Sequence, residues 1–154
     1  MTDAEELAAT ARAIVDSNRY MTLATADESG APWASPVWFA SADYRAFFWV
    51  SAPGARHSRN LAGRPQVGIV IFDSQVPGGA GQAVYMSAVA KEVAGGEIAE
   101  GIEIFSRESE EQALPVWTSD QVQAPARHRL YRAVAYEHFV LSPRDERIPI
   151  SMDT

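Results

Sequence analysis

The sequence predicts a mainly β protein, a small antiparallel barrel with helices at its margins. Three observations lead there. Apolar runs of strand length recur at hairpin spacing, separated by short turns containing Gly, Pro, Asp and Ser. Only two main stretches, one near the start and one after Gly95-Gly96, repeat with the period of a helix. Strands joined by short turns pair antiparallel, and a sheet of about six strands tends to close because bare edges aggregate.

The elements follow in order. Thr2 and Glu5 fit a capping box, and Leu7, Ala11, Ile14 and Val15 recur at helical spacing, which predicts a helix over 3–18. From Tyr20, Met21 and Leu23 alternate with Thr22 and Ala24 as in a strand, and Asp27-Glu28-Ser29-Gly30 turns the chain. Trp33–Ala40 is a second strand. Its Pro36 lacks an N–H, so it marks an edge, a bulge or a ligand-facing break. Ser41–Arg45 turns, and Ala46–Ser51 is a third strand closed by Pro53-Gly54. Ala55–Ala62 is a short helix, stopped by Gly63 and Pro65. Val67–Phe72 and Ala83–Ala94 are strands on either side of a Gly- and Pro-rich loop, Ser74–Gly81. Ile98, Ile102 and Phe105 form one face of a helix, with Glu97, Glu100, Glu103, Arg107 and Glu108 mostly outside. Arg129–Leu141 is the last strand. The prediction is one domain over 1–154, with the barrel at 20–142 and a charged, frayed tail at 143–154.

Composition narrows the function. The chain of 154 residues has a formal net charge of -7, which argues against nucleic acid as a partner because phosphate backbones require a basic surface. It has no cysteine, so disulfides and thiolate metal sites are excluded. The acidic N-terminus is not a secretory signal and no apolar run is long enough to span a bilayer, so a soluble cytoplasmic protein without a membrane partner is expected. His128 and His138 stand ten positions apart, roughly 33 Å along an extended strand, too far to share a metal ion. The P-loop ending, the metalloprotease helix motif and Gly-x-Ser-x-Gly are all missing.

One region carries candidate chemistry. The helix opening near Ala55 exposes unpaired N–H groups and a partial positive charge, with Arg56, His57 and Arg59 in its first turns. Cations at a helix N-terminus are mildly unfavourable unless an anion joins them, so the combination is either a phosphate site or a solvated arginine pair. Ser51 adds a hydroxyl at the end of the preceding strand. Asn60 would either touch a ligand or bond to nearby backbone. Trp33, Trp38, Phe47 and Trp49 supply aromatic surface for barrel core, a dimer face or a wall against a planar ring.

These residues resemble a known family. Leu23–Pro32, Ser35-Pro36-Val37, Arg56-His57-Ser58-Arg59-Asn60-Leu61 and Pro65-Gln66-Val67 are similar to the pyridoxamine 5'-phosphate oxidase-like, FMN-binding split-barrel family. Val84–Val93 and Arg129–Ala133 resemble its later strands, so the likeness runs from about Tyr20 to Leu141. The resemblance implies a six-stranded antiparallel split barrel, a homodimer, and FMN bound in the dimer cleft. It implies that Ser35, Pro36 and Val37 run along the isoalloxazine edge. Trp49, Val50 and Ser51 would lie by the ribityl chain and phosphate, Arg56 and His57 would take the phosphate, and Gln82 would reach the ring. Trp117, Arg127 and Arg129 would reach the partner's cofactor.

Two departures stand out. Ala34 occupies the position where the family's oxidase has a phosphate-gripping arginine, and the substrate-phosphate motif is missing around Arg107–Trp117. The resemblance therefore implies an FMN-dependent oxidoreductase acting on a small molecule with a separate electron donor, and not vitamin B6 oxidation. The alternatives are a reductase using a deazaflavin coenzyme and a non-catalytic flavin- or haem-binding protein.

Overall fold

A computed structural model describes residues 3–153. Thr2 of the expected capping box lies outside them. Within that range the chain forms eight strands and three α-helices. They are α1 (Asp3–Ser17), β1 (Tyr20–Ala26), β2 (Pro32–Trp38), β3 (Ala40–Ala42), β4 (Ala46–Ser51), α2 (Arg56–Gly63), β5 (Gln66–Phe72), β6 (Ala83–Glu92), α3 (Glu97–Glu111), β7 (Arg129–Leu141) and β8 (Arg147–Ile150). A 3-10 turn, Ser119–Val122, precedes β7.

All the strands belong to one antiparallel sheet in the order β2-β1-β5-β6-β7-β4-β3, with β8 added to β7. Because the sheet curls, β2 at one end approaches β4 near the other without pairing to it. This is the split barrel that the sequence predicts, with two strands more than expected. The segment read as one strand to Ala40 divides into β2 and β3, and Asp43 and Tyr44, both left-handed at φ 52° and 57°, turn the chain from β3 into β4. The second addition corrects the tail. It is not frayed, because β8 pairs with His138–Leu141 on the edge of β7 that β4 leaves at Val134. Met152 beyond it is buried in the barrel core.

Two apolar clusters follow from strand alternation. Inside the barrel lie Met21 and Leu23 of β1, Phe47 and Trp49 of β4, Ile69 and Ile71 of β5, and Met86 of β6, closed at one end by Ile14 and Val15 of α1. On the outer face, Phe48 of β4 packs with Leu130 and with Ile98, Ile102 and Phe105 of α3. The helix sits very close to the sheet at Gly101, where an added Cβ would lie 2.8 Å from the Leu130 side chain. Only glycine permits that approach. Glu97, Glu100 and Glu103 face solvent, as expected from their spacing.

Pro36 is tolerated because β2 is an edge strand, bonded only to β1. α2 is held against the barrel from below: Leu61 enters the core, and the Asn60 side-chain amide donates to Thr25 Oγ1 of β1 at 3.1 Å. Both partners are buried, so the bond ties the helix to the sheet with little competition from water.

Candidate functional site: a groove in the split between β2 and β4

A concavity lies where the sheet fails to close. It has a volume of about 560 Å³ and falls in the range of small-molecule sites. Its floor comes from the facing strand edges, with Pro36, Val37 and Trp38 on β2 and Val50 and Ser51 on β4. His57 of α2 closes one end. Phe105 of α3 and the segment Leu114–Trp117 form the opposite wall, and His128 completes the rim.

The polar end is built from two residues. His57 Nε2 lies 2.9 Å from Ser51 Oγ. The strand end and the helix start are brought together by the turn at Pro53-Gly54, where Ala55 N–H donates to Ala52 carbonyl. Burial holds the His57 imidazole below its ordinary pKa, so the ring is neutral at neutral pH. Ala55 at the head of α2 gives no side-chain cap, and the first N–H groups of the helix remain available to an anion.

The aromatic end is a chain of edge-to-face contacts. Phe105 meets Trp38 at 5.0 Å and Trp117 at 6.2 Å, and Trp117 meets His128 at 5.7 Å between ring centroids. Trp38 is fixed by its indole N–H donating to Gln112 Oε1 at 3.0 Å. Trp117 is fixed through Ser106 of α3, whose hydroxyl donates to Trp117 carbonyl at 2.8 Å and accepts Trp117 N–H at 3.0 Å.

Of the candidate site and aromatic residues singled out in the sequence, Pro36, Val37, Trp38, Val50, Ser51, His57 and Trp117 meet in this groove. Ser35 lies beside them on β2, half-buried. The others stand elsewhere in the single chain. Trp49 is completely buried and stacks on Tyr131 inside the barrel at 5.8 Å. Alternation forces this, because Trp49 and Val50 are neighbours on one strand and point to opposite faces. Arg56 and His57 also part company, being about 100° apart around a helix. The Arg56 guanidinium lies over Trp33 at 4.3 Å and borders a second depression with Arg59 and Asn60. The carboxylates of Asp27 and Glu28 share that depression, so it is less suited to an anion than the His57 end. Gln82 immediately precedes β6 and lines a groove with α1 and the turn before β8. Arg129 donates to the carbonyls of Ala126 and His128 close by.

Sequence reasoning missed the wall formed by Phe105, Leu114 and Val116, and the place of His128 in the rim. A faint signal existed in Leu114-Pro115-Val116-Trp117, an apolar run within an otherwise polar connection. No group of three or more His, Cys, Asp or Glu side chains that could hold a metal ion occurs among the described residues. No helix among them is long and apolar enough to cross a membrane.

This combination of a split barrel with a groove between the unpaired edges defines a recognisable class. Residues 7–141 match the family model described as pyridoxamine 5'-phosphate oxidase, and the chain belongs to that family. No match is found among the curated proteins. Among solved structures, the chain is similar to the heme binding protein from Mycobacterium smegmatis, with a TM-score of 0.72 and 21% identity over 99% of this chain. It spans only 59% of that structure's length. It is also similar to HutZ, the heme storage protein from Vibrio cholerae, with a TM-score of 0.67 and 22% identity, covering 84% of this chain and 90% of that one. A structure named F420 reductase matches with a TM-score of 0.60 and 14% identity, covering 83% and 94% of the two chains. At these identities the likeness concerns the fold.

Proposed function

We propose that this protein is an FMN-dependent oxidoreductase that holds the flavin in the groove between β2 and β4. The observation that carries the reading is the Ser51–His57 pair, 2.9 Å apart at the uncapped start of α2, in a mainly apolar groove that Ser109, Gln121 and His128 also line. FMN has the matching polarity, a flat apolar ring system on a chain that ends in a phosphate.

The donor set fits such a group. The imidazole, the Ser51 hydroxyl and the free N–H groups of α2 would take the phosphate. The edge of β2, which has no strand partner on its outer side, offers backbone groups to the polar rim of the ring. Val50 and Trp38 would pack on its faces. The flavin supplies hydride chemistry when bound, and the chain supplies position, dryness and charge. Ala34 at the expected position of an arginine leaves His57 and the helix as the main anchors. Arg56 would join them only by leaving the Trp33 ring. The homodimer remains part of this proposal, with a partner covering the open side of the groove.

Turnover is tested by mixing FMN-loaded protein with NADH or NADPH and then with an electron acceptor. Reduction and reoxidation at a catalytic rate support the enzyme reading. A second reading is ring binding without turnover. Its motivating observation is that His57 and His128 both line the groove, as two imidazoles that would ligate the iron of a haem held there. Two of the similar structures are named for heme binding or storage. A haemin titration showing a sharp Soret band that is lost in both His57→Ala and His128→Ala would favour it over the flavin. A deazaflavin coenzyme is the third reading, and its acidic tail would meet Arg56 and Arg59 only together with Asp27 and Glu28.

A further inference from the structure

We infer that the aromatic half of the groove selects an uncharged, planar, apolar substrate and turns away phosphorylated or otherwise anionic ones. This rests on the flavin reading for the polar half and extends it to the substrate.

The two halves of the groove differ in kind. At the β2–β4 end, Ser51 and His57 offer hydrogen bonds. The facing wall is mainly Phe105, Leu114, Pro115, Val116 and Trp117, with uncharged Ser109 and Gln121 and the rim residue His128 as its polar members. Among the described residues lining the whole groove there is no Lys, Arg, Asp or Glu. His57 is the half committed to the cofactor. His128 is held edge-on to Trp117 at the rim.

An anionic substrate placed against this wall would lose its hydration with no cation to replace it. That cost is several kcal/mol for an unpaired charge, so the ion stays in water. The net charge of -7 adds a repulsive field over the approach. A neutral ring loses little hydration and gains stacking or edge contacts with Trp117 and Phe105.

The wall is also fixed in place. Reciprocal bonds between Ser106 and the Trp117 backbone clamp the segment to α3, and the Trp38–Gln112 bond fixes the facing indole. Leu114 and Val116 remain 45% and 48% exposed, so they can close on a ring without disturbing the core. Trp117 is the ring-contacting residue and Val116 the residue at which charge selection is set.

A matched pair of probes tests this: naphthoquinone and naphthoquinone sulfonate, which share a ring and differ by one negative charge. The chain has no cysteine to add to a quinone. Binding is measured by calorimetry on protein with and without FMN. The neutral ring is expected to bind at least about tenfold more tightly than the sulfonate, the equivalent of roughly 1.4 kcal/mol. Trp117→Ala should weaken the neutral ring about tenfold. Val116→Arg, at an exposed position that leaves the core intact, should narrow or reverse the preference. Equal or tighter binding of the sulfonate to the native protein overturns the inference, as does a Val116→Arg variant with unchanged preference. Failure to retain FMN, with this pattern intact in the flavin-free protein, would count against the flavin reading alone.

Discussion

At the scale of single residues, the account turns on His57. Its ring is neutral in the free protein because burial opposes its charge, and a phosphate 3 Å away would favour the charged form. A hydrogen bond to a charged group contributes about 1.5–3 kcal/mol, so His57→Ala should weaken FMN binding roughly tenfold or more. Riboflavin, which lacks the phosphate, should bind both proteins alike. A fluorescence titration with the two ligands checks this. His138 gives a second prediction. It is buried on β7, with Nε2 2.8 Å from Tyr44 carbonyl, and burial lowers its pKa against the opposing effect of that bond. The facing charges are Arg45, which lowers it further, and Asp153, which raises it. Below about pH 6.5 the unfolded chain binds a proton at this position that the folded chain resists, so stability is full above that pH and falls as pH drops. His57 acts in the same direction. Denaturant midpoints between pH 7.5 and 5.5 should fall in the native protein, and less steeply in His138→Gln. Chemistry at this scale was partly legible in the sequence. The Ser51–His57 end could be read because one turn joins a strand to a helix. Trp49 and Arg56 do not line this groove, because strand alternation and helical rotation send them to faces other than those of Val50 and His57.

At the scale of elements, β4 and β7 lie where the sequence places them, at Ala46–Ser51 and Arg129–Leu141. Dense β-branched and aromatic residues with clear turn residues around them make such strands readable. β8 was not readable, because Arg147–Ile150 is short and contains Pro149, and its stability comes from the free edge of β7. Propensity carries no information about a distant edge. The tail reaches further still, since Met152 is 3% exposed in the core. Truncating a buried methionine costs about 2–5 kcal/mol, so Met152→Ala should lower stability by at least about 2 kcal/mol in urea unfolding. A frayed tail would show no change. The groove's second wall was likewise hidden. Leu114–Trp117 gains its position from Ser106, eight to eleven residues away on α3, through contacts that no periodicity displays.

At the scale of the molecule, the groove follows from an incomplete closure. A closed barrel would satisfy every strand edge, whereas this sheet brings β2 near β4 beyond its pairing with β3, without bonding the two, and seats a groove between them. The inner core holds Trp49 and Phe47 beneath the split, and α3 with its close approach at Gly101 supplies Phe105 of the far wall. The overall class was visible from strand count and turn spacing, but the partition of the groove into a polar and an aromatic half required the fold. The central claim is that this groove holds FMN by its His57 end. The most direct measurement is the visible absorption spectrum of the native protein and of the Ser51→Ala/His57→Ala variant, each loaded with excess FMN and desalted. The account predicts flavin bands retained by the native protein, with a band shape shifted from free FMN, and lost from the variant. A native protein that emerges colourless, or a variant that retains the flavin equally, would contradict it.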